Sequence, residues 1–350
     1  MLILICGARY TGKSEIARYL GLQGFKQLAV RSADPANDSL DSLDSSALTP
    51  AGSSPNTSVS RSADHSHDSS IDAYEQTVFA STTELIDYVT TRWNQRFVTT
   101  DVDTVGRFEE VRHRSFVYLL SVEAPLGARY RRHVAGAGKD AMTLEQFVEQ
   151  SDTQLYGPGA LVRLTNRSKV HIVNAAESLE LLYLKLSDLR LWDDGYLRPS
   201  WDEYFMHLAS LASRRSNCMK RRVGCVLVRG RRVIATGYNG TPRGIANCNE
   251  GGCPRCNSGA ARGTDLFTCL CMHAEENALL EAGRERVGSD AILYCDTCPC
   301  LTCCVKIVQI GIVEVVYAQE YSMDTMSSTV FKEAGVVLRQ YSHRDMRVVV

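Results

Sequence analysis

The sequence predicts an α/β protein of two domains, a parallel sheet first and then a mixed sheet sandwiched between helices. Three features lead there. Short apolar runs such as Leu2-Ile3-Leu4-Ile5 and Val170-His171-Ile172-Val173 alternate with helical segments through residues 1–190. A connector at 191–199, containing Asp, Gly and Pro, then gives way to a different order over 200–345: helix, hairpin, and alternating helices and strands. At 350 residues and 44% hydrophobic content, the chain is long enough for two separate cores.

Composition narrows the function. A formal net charge of -1 argues against a nucleic-acid coat and leaves any basic patch local, which suits small phosphorylated ligands. No apolar run approaches a membrane span, and Met1 leads into an apolar strand without a signal-peptide pattern. An intracellular protein, cytoplasmic or nuclear, with no membrane contact is therefore expected. Of thirteen cysteines only Cys6 precedes residue 218. Crowding of the rest points to metal binding in a reducing compartment, not to a disulfide framework.

The first domain opens with a buried-strand pattern over Leu2–Cys6, then Gly7-Ala8-Arg9-Tyr10-Thr11-Gly12-Lys13-Ser14, then a helix through Leu20. This G-x-x-x-x-G-K-S run is a phosphate loop in its strand–loop–helix context. Gly7 and Gly12 let backbone N–H groups wrap a phosphate, Lys13 neutralises charge and Ser14 offers a magnesium ligand, so ATP with Mg is the ligand expected. The alternative is a loop kept for its fold after its activity was lost. From 31 to 70 the composition collapses into Ser, Asp, Ala, Asn and Pro, which predicts a disordered insertion with His65 and His67 solvated. Order resumes with a helix over Ser81–Trp93 and a strand over Arg96–Thr100. Asp101 or Asp103 after it either binds magnesium or simply ends the strand. The strand Ser115–Val122, the helices Leu126–His133 and Thr143–Gln150, the strand Val170–Val173 and the helix Ser178–Leu189 complete the parallel sheet.

The second domain begins with an amphipathic helix from Trp201 to about Arg215, and a hairpin of Val223–Val228 and Val233–Gly237 turns at Arg229-Gly230-Arg231. The loop Tyr238–Gly244 and a Cys-rich segment, 248–271, follow. Strands over Ala291–Tyr294 and Val313–Tyr317, a helix over Ser327–Ala334 and a strand over Val336–Arg339 close the domain. Between them stand His273-Ala274-Glu275 and Pro299-Cys300-Leu301-Thr302-Cys303. His273, Cys300 and Cys303 offer one imidazole and two thiolates, three of the four tetrahedral positions that zinc favours; an open fourth suits a hydrolytic water. Glu275, two residues from His273 on one helix but facing differently, fits a proton shuttle better than a fourth ligand. Pro299 is expected to open a helix whose first turn carries both thiolates, where the dipole favours negative charge. A second C-x-x-C, Cys295 to Cys298, ends a strand, has no proline before it and ranks lower.

Two resemblances add to this reading. Residues 1–190 loosely resemble small phosphate-loop kinases of the dephospho-coenzyme A kinase type. The likeness rests on Gly7–Ser14, on Glu123-Ala124-Pro125-Leu126-Gly127-Ala128-Arg129 with Arg131 and Arg132, on Thr143–Phe147 and on Val170–Asn174. The insertion falls where such kinases place early substrate-binding elements, so the resemblance implies a phosphate grip more than turnover. Residues 198–341 are similar to the deoxycytidylate deaminases of the cytidine deaminase superfamily. This rests on Trp201–Met206, Arg215-Ser216-Asn217-Cys218, Val223-Gly224, Gly237–Pro242, His273–Ala278, Pro299–Cys303 and Ile307–Ile312. The motif pair itself, H-x-E with P-C-x-x-C, is the signature of zinc-dependent nucleobase deaminases. A kinase-like half in front looks like the fungal arrangement.

The second resemblance implies hydrolysis of dCMP to dUMP and ammonia by a zinc-bound hydroxide, which supplies dUMP for thymidylate synthesis. It also implies activation by dCTP, inhibition by dTTP, and a homo-oligomer, often a hexamer. Asn239 should meet the nucleotide sugar, with the Tyr238–Arg243 loop at the pocket edge; the bare alternative for Asn239-Gly240 is a turn. Arg214, Arg215, Lys220, Arg221, Arg222, Arg243 and Lys306 are candidates for the 5'-phosphate, and Tyr321 faces it or packs. Cys253-Pro254-Arg255-Cys256 has zinc-knuckle spacing, and a second, structural zinc is expected in this region. Cys218, Cys248, Cys256 and Cys271 lead among several quartets, against buried free thiols. Other readings are a zinc deaminase of free cytosine, a pterin or riboflavin precursor or a tRNA base, or a nucleotide-sensing scaffold with structural zinc alone.

Overall fold

The computed structural model describes residues 1–31, 76–261, 263–320, 325–343 and 346–350. The insertion read at 31–70 lies, from 32 onward, outside the described residues, as do Tyr321 and both of the insertion's histidines. The chain divides into two units, Met1–Arg198 with Asp345–Val350, and Pro199–Arg344.

In the first unit β1 (Leu2–Gly7) is apolar and buried along its whole length, as a central strand covered on both faces must be. α1 (Lys13–Leu22) follows the loop that begins at Ala8. Then come β2 (Lys26–Val30), β3 (Thr77–Phe79), α2 (Thr82–Thr90), β4 (Phe97–Thr99), α3 (Val105–Val111), β5 (Val117–Glu123) and α4 (Leu126–Ala137). The run ends with α5 (Leu144–Tyr156), α6 (Leu161–Thr165), β6 (Val170–Val173) and α7 (Leu179–Leu189). Helix starts follow side-chain chemistry: Ser81 and Ser178 cap α2 and α7, and Thr143 with Gln146 forms a capping box on α5. The strands pair in the order β6-β5-β1-β4-β2-β3, all parallel. Alternation sorts β1 into two cores: Ile3 and Ile5 pack with Leu20 and Leu186, while Leu2, Leu4 and Cys6 pack with Leu85 and Leu164. β2, β3, α3 and α6 have no counterpart among the expected elements.

The second unit runs α8 (Trp201–Ser213), β7 (Gly224–Arg229), β8 (Arg232–Tyr238), the single turn α9 (Pro254–Asn257), α10 (Ala274–Val287), β9 (Ile292–Thr297) and α11 (Leu301–Ile310). β10 (Glu314–Gln319), α12 (Thr325–Glu333) and β11 (Val337–Gln340) complete it. The sheet order is β11-β10-β9-β7-β8, with β9, β10 and β11 parallel and β7 antiparallel to both neighbours. This is the mixed sheet expected, with helices on both faces. Cys225, Leu227, Leu293 and Val315 face α10 and α11, and Val226, Val228, Tyr294 and Val316 face Phe205, Met206 and Ala209 of α8.

β12 (Arg347–Val349) then returns to the first unit, pairing parallel with β6 in the register Arg347–His171, Val348–Ile172 and Val349–Val173. Val350 is buried in that unit's core. No helix among the described residues is long and apolar enough to cross a membrane.

Candidate active site

Two helix beginnings in the second unit meet at one point. His273 is the N-cap of α10 and Cys300 the N-cap of α11, with Cys303 in the first turn of the latter. Their ligand atoms lie within 4.8 Å of one another. His273 Nδ1 is 3.3 Å from both Cys300 Sγ and Cys303 Sγ. Two expectations of local structure are corrected. Pro299 does not open α11 but precedes its N-cap, and His273 stands outside the helical turns that hold Glu275. Capping explains the second: the His273 N–H donates to Glu276 at 2.9 Å, and Glu276 pairs with Lys306 of α11. The strand-end pair Cys295 and Cys298 stays outside this cluster.

The three groups bias one another's ionisation: hydrogen bonds from Cys303 and His273 hold the Cys300 thiol down, while the same Cys300 sulfur pushes Cys303 and His273 up. Thiolate sulfur and neutral imidazole are the forms of these side chains that bind metal, so together they make a donor set for a divalent ion. One nitrogen and two sulfurs fit zinc, and fewer than four protein donors leaves a position open. The imidazole is exposed while Cys303 is buried. Glu275, only 4% exposed, is pushed up to about 7, chiefly by burial and against the pull of the His273 ring. A carboxyl group titrating near neutrality can both take and return a proton.

The neighbouring loop is held by polar clips. Asn239 Oδ1 accepts from the Ser216 hydroxyl at 2.7 Å and the Val223 N–H at 2.8 Å, and its Nδ2 donates to the Arg221 carbonyl at 2.8 Å. One amide hydrogen is left for anything else. Asn277 of α10, which sequence reading gave no role, donates to the Tyr238 carbonyl at 3.0 Å and fastens the loop to the helix. A polar residue four positions past an N-cap histidine carries no local signal of such a bond. β8 approaches α10 at Gly237, where a Cβ would fall 2.0 Å from the Ala274 carbonyl oxygen. Among the basic candidates, Lys220 donates to the Ala260 carbonyl, Arg221 to Thr297, and Lys306 pairs with Glu276. The Arg243 side chain is fully exposed on the loop.

Six more cysteines form a separate group. Cys218, Cys248, Cys256 and Cys271 bring their sulfurs within 4.8 Å of one another, and so do Cys253, Cys256, Cys269 and Cys271. The first set is the quartet singled out from the sequence; Cys253 and Cys269 were not placed in it.

In the first unit Gly12 has φ 91°, a conformation that favours glycine, and Lys13 is buried behind it. Arg132 donates to the carbonyls of Tyr10 at 3.1 Å and Thr11 at 3.4 Å, and Asn174 Nδ2 donates to Thr11 at 2.9 Å. Asp101 accepts from the Val30 N–H at 2.8 Å and the Thr100 hydroxyl at 3.1 Å, and burial raises its pKa. Asp103 is 3.4 Å from Arg107.

The family profile described as the cytidine and deoxycytidylate deaminase zinc-binding region matches residues 199–319. The deoxycytidylate deaminase of Schizosaccharomyces pombe is 52% identical over 265 residues, covering 75% of this chain and 82% of that protein. That of Saccharomyces cerevisiae is 48% identical over 272 residues, covering 75% of this chain and 86% of that protein. The second unit is far shorter than either match, so both extend into the first. A crystal structure of the dCMP deaminase of cyanophage S-TIM5 with dCMP and dUMP is 30% identical with a TM-score of 0.34, covering 41% of this chain and 98% of that one. With a histidine and two cysteines gathered at paired helix starts, and with this identity over most of both yeast proteins, the chain belongs to the deoxycytidylate deaminase family.

Proposed function

We propose that the second unit hydrolyses dCMP to dUMP and ammonia. The observation that carries this is the convergence of His273, Cys300 and Cys303 beside the buried carboxyl of Glu275. These three side chains would hold zinc. When bound, the ion supplies Lewis acidity that lowers the pKa of a water in its open position towards neutrality. Glu275 takes one proton of the water that attacks C4 of the cytosine ring and passes it to the ring nitrogen N3; it then takes the remaining proton from the hydroxyl added at C4 and delivers it to the amino group, so that the C4–N bond breaks, ammonia leaves and the C4 carbonyl of dUMP forms. One carboxyl group serves both steps because burial holds its pKa near 7. Lys306 and the His273 backbone engage Glu276, which keeps that second carboxylate out of the reaction. Asn239 shapes the sugar side of the pocket through Ser216 and Val223 and has one amide hydrogen left for the nucleotide.

In the first unit, the phosphate-loop residues Gly7, Gly12, Lys13 and Ser14 stand at the carboxyl end of β1. β1 lies inside its sheet between β4 and β5, and ligands of open α/β sheets bind outside the carboxyl ends of the strands. A nucleoside triphosphate with magnesium is the ligand we assign to it. A single structural zinc in the Cys218, Cys248, Cys256 and Cys271 quartet is the minimal reading of the second cysteine group. Leu280 and Val305, exposed on α10 and α11, support a homo-oligomer formed over that face.

A spectrophotometric assay of dCMP, CMP, deoxycytidine and cytosine, with and without dCTP and dTTP, tests substrate and control together. We expect dCMP to be preferred; a metal-replete chain inert towards dCMP in the presence of dCTP would refute the proposal. Glu275→Gln is expected to retain zinc and fold while losing turnover by about two to four orders of magnitude.

A further inference from the structure

The two cysteine quartets share two members. Cys256 and Cys271 belong to both, Cys218 and Cys248 only to the first, and Cys253 and Cys269 only to the second. Sulfur separations across the group are 3.9 Å for Cys218–Cys256, 3.7 Å for Cys256–Cys269, and 3.9 Å for Cys256–Cys271 and Cys253–Cys269. A disulfide is about 2.05 Å long, so none of these pairs is bonded. With Zn–S at about 2.3 Å, the edge of a regular ZnS4 tetrahedron is about 3.8 Å. The observed spacings match that edge on both sides of the shared pair.

The two outer pairs are also built alike. The N–H of Met219, the residue after Cys218, donates to Cys248 Sγ at 3.4 Å. The N–H of Leu270, the residue after Cys269, donates to Cys253 Sγ at 3.4 Å. Each outer pair thus has the same backbone-to-sulfur clip, and each brings its sulfurs within 4.8 Å of the same two central sulfurs. A single ion in the first quartet would leave the second, equally formed set of donors without a purpose.

We propose that these six cysteines hold a two-zinc thiolate cluster in which Cys256 and Cys271 bridge the ions, Cys218 and Cys248 complete one, and Cys253 and Cys269 complete the other. It rests on the reading of a structural zinc in the first quartet and adds a second ion to it. Thiolate sulfur selects soft and borderline ions, and an all-sulfur tetrahedron suits zinc. Six thiolates against two dications leave a net charge of -2, which the two N–H···S bonds and the Arg255 guanidinium beside Cys256 and Cys269 offset. The cluster ties four stretches of chain together: the exit of α8, the turn at Cys248, α9, and the segment that reaches His273 two residues after Cys271. It therefore sets where α10 begins, and Met272 is further held by its backbone pairing with Gly240.

The test is metal stoichiometry on the full chain, grown with zinc and cleared of loosely bound metal. Three zinc ions per chain are expected, one at His273, Cys300 and Cys303 and two in the cluster; His273→Ala should lower the count to two. Cys218→Ser and Cys253→Ser should each remove one ion. Because such variants can fail to fold, the unmodified protein exchanged with 113Cd provides a second readout. Two thiolate-shifted resonances split by coupling to each other are expected, since only shared sulfurs connect the two nuclei. Two zincs per chain with one unsplit cluster resonance would overturn the bridged pair but keep the single structural zinc. One zinc per chain would overturn both, and iron with acid-labile sulfide would also overturn the proposal. None of these readouts depends on deamination, so failure here is distinguishable from failure of the substrate assignment.

Discussion

Asn239 uses its amide on its own backbone before any ligand arrives. Replacing it with alanine strands the Val223 N–H and the Arg221 carbonyl, while the Ser216 hydroxyl keeps its bond to the backbone carbonyl of residue 239, and Asn239 itself is only 8% exposed. Asn239→Ala should therefore cost about 2–3 kcal/mol, read as a lower urea midpoint with an unchanged slope. Asp202 offers a pH-dependent case. Arg339 donates to it at 2.6 and 3.1 Å, Tyr294 at 2.9 Å, and the Arg339 guanidinium holds its carboxyl below the usual range. A depressed carboxyl contributes its full stability above the ordinary value of 3.8 and loses it as pH falls through the lower folded value. Asp202→Asn should destabilise the protein at pH 7 by about 1 kcal/mol or less, because the pair is partly exposed. Denaturation of both proteins across pH should show that gap closing in acid. At this scale, the sequence could suggest that His273, Cys300 and Cys303 belong together because residue type and spacing carry their chemistry, and their ligand atoms lie within 4.8 Å of one another. The clips made by Asn277 and Ser216 could not, since an amide or hydroxyl looks the same in sequence whether it binds a ligand, a backbone or water.

The hairpin and helices of the second unit are set by close approach as much as by apolar pattern. Gly237 lets β8 lie against the first turn of α10, and the helix start carries His273. Gly237→Ala should push that turn away by overpacking, at a cost of about 1–3 kcal/mol, and should lower both zinc retention and turnover. A zinc content and dCMP rate equal to those of the parent protein would show that the contact is not needed. Elements with a strong local signal were legible: β1 as an unbroken apolar run, α5 as a helical run from Thr143, β7 and β8 by a tight turn. Those that escaped are short or lack an apolar period. β3 has three residues and no buried one, and α6 has five. Pro299 misled because proline is common both at the first helical position and just before a cap.

At the scale of the chain, what stayed hidden was the return of the last strand. β12 pairs with β6 across more than 170 residues of sequence, and no local pattern in Arg347-Val348-Val349 names a partner so far away. Its backbone bonds are specific: the His171 N–H donates to Met346, the Ala175 N–H to Val350, and the Val350 N–H to Val173. Removing residues 346–350 should therefore expose the edge of β6 and lower the stability of the first unit, measured as a drop in its melting temperature, while zinc content in the second unit stays unchanged.

That closing strand makes the deaminase unit a guest within its host. The host's sheet begins before the guest and is continued only after it, so during synthesis the amino-terminal half must wait for residues 346–350 before the edge of β6 is paired. A frameshift or late stop codon would thus injure the half that was translated first.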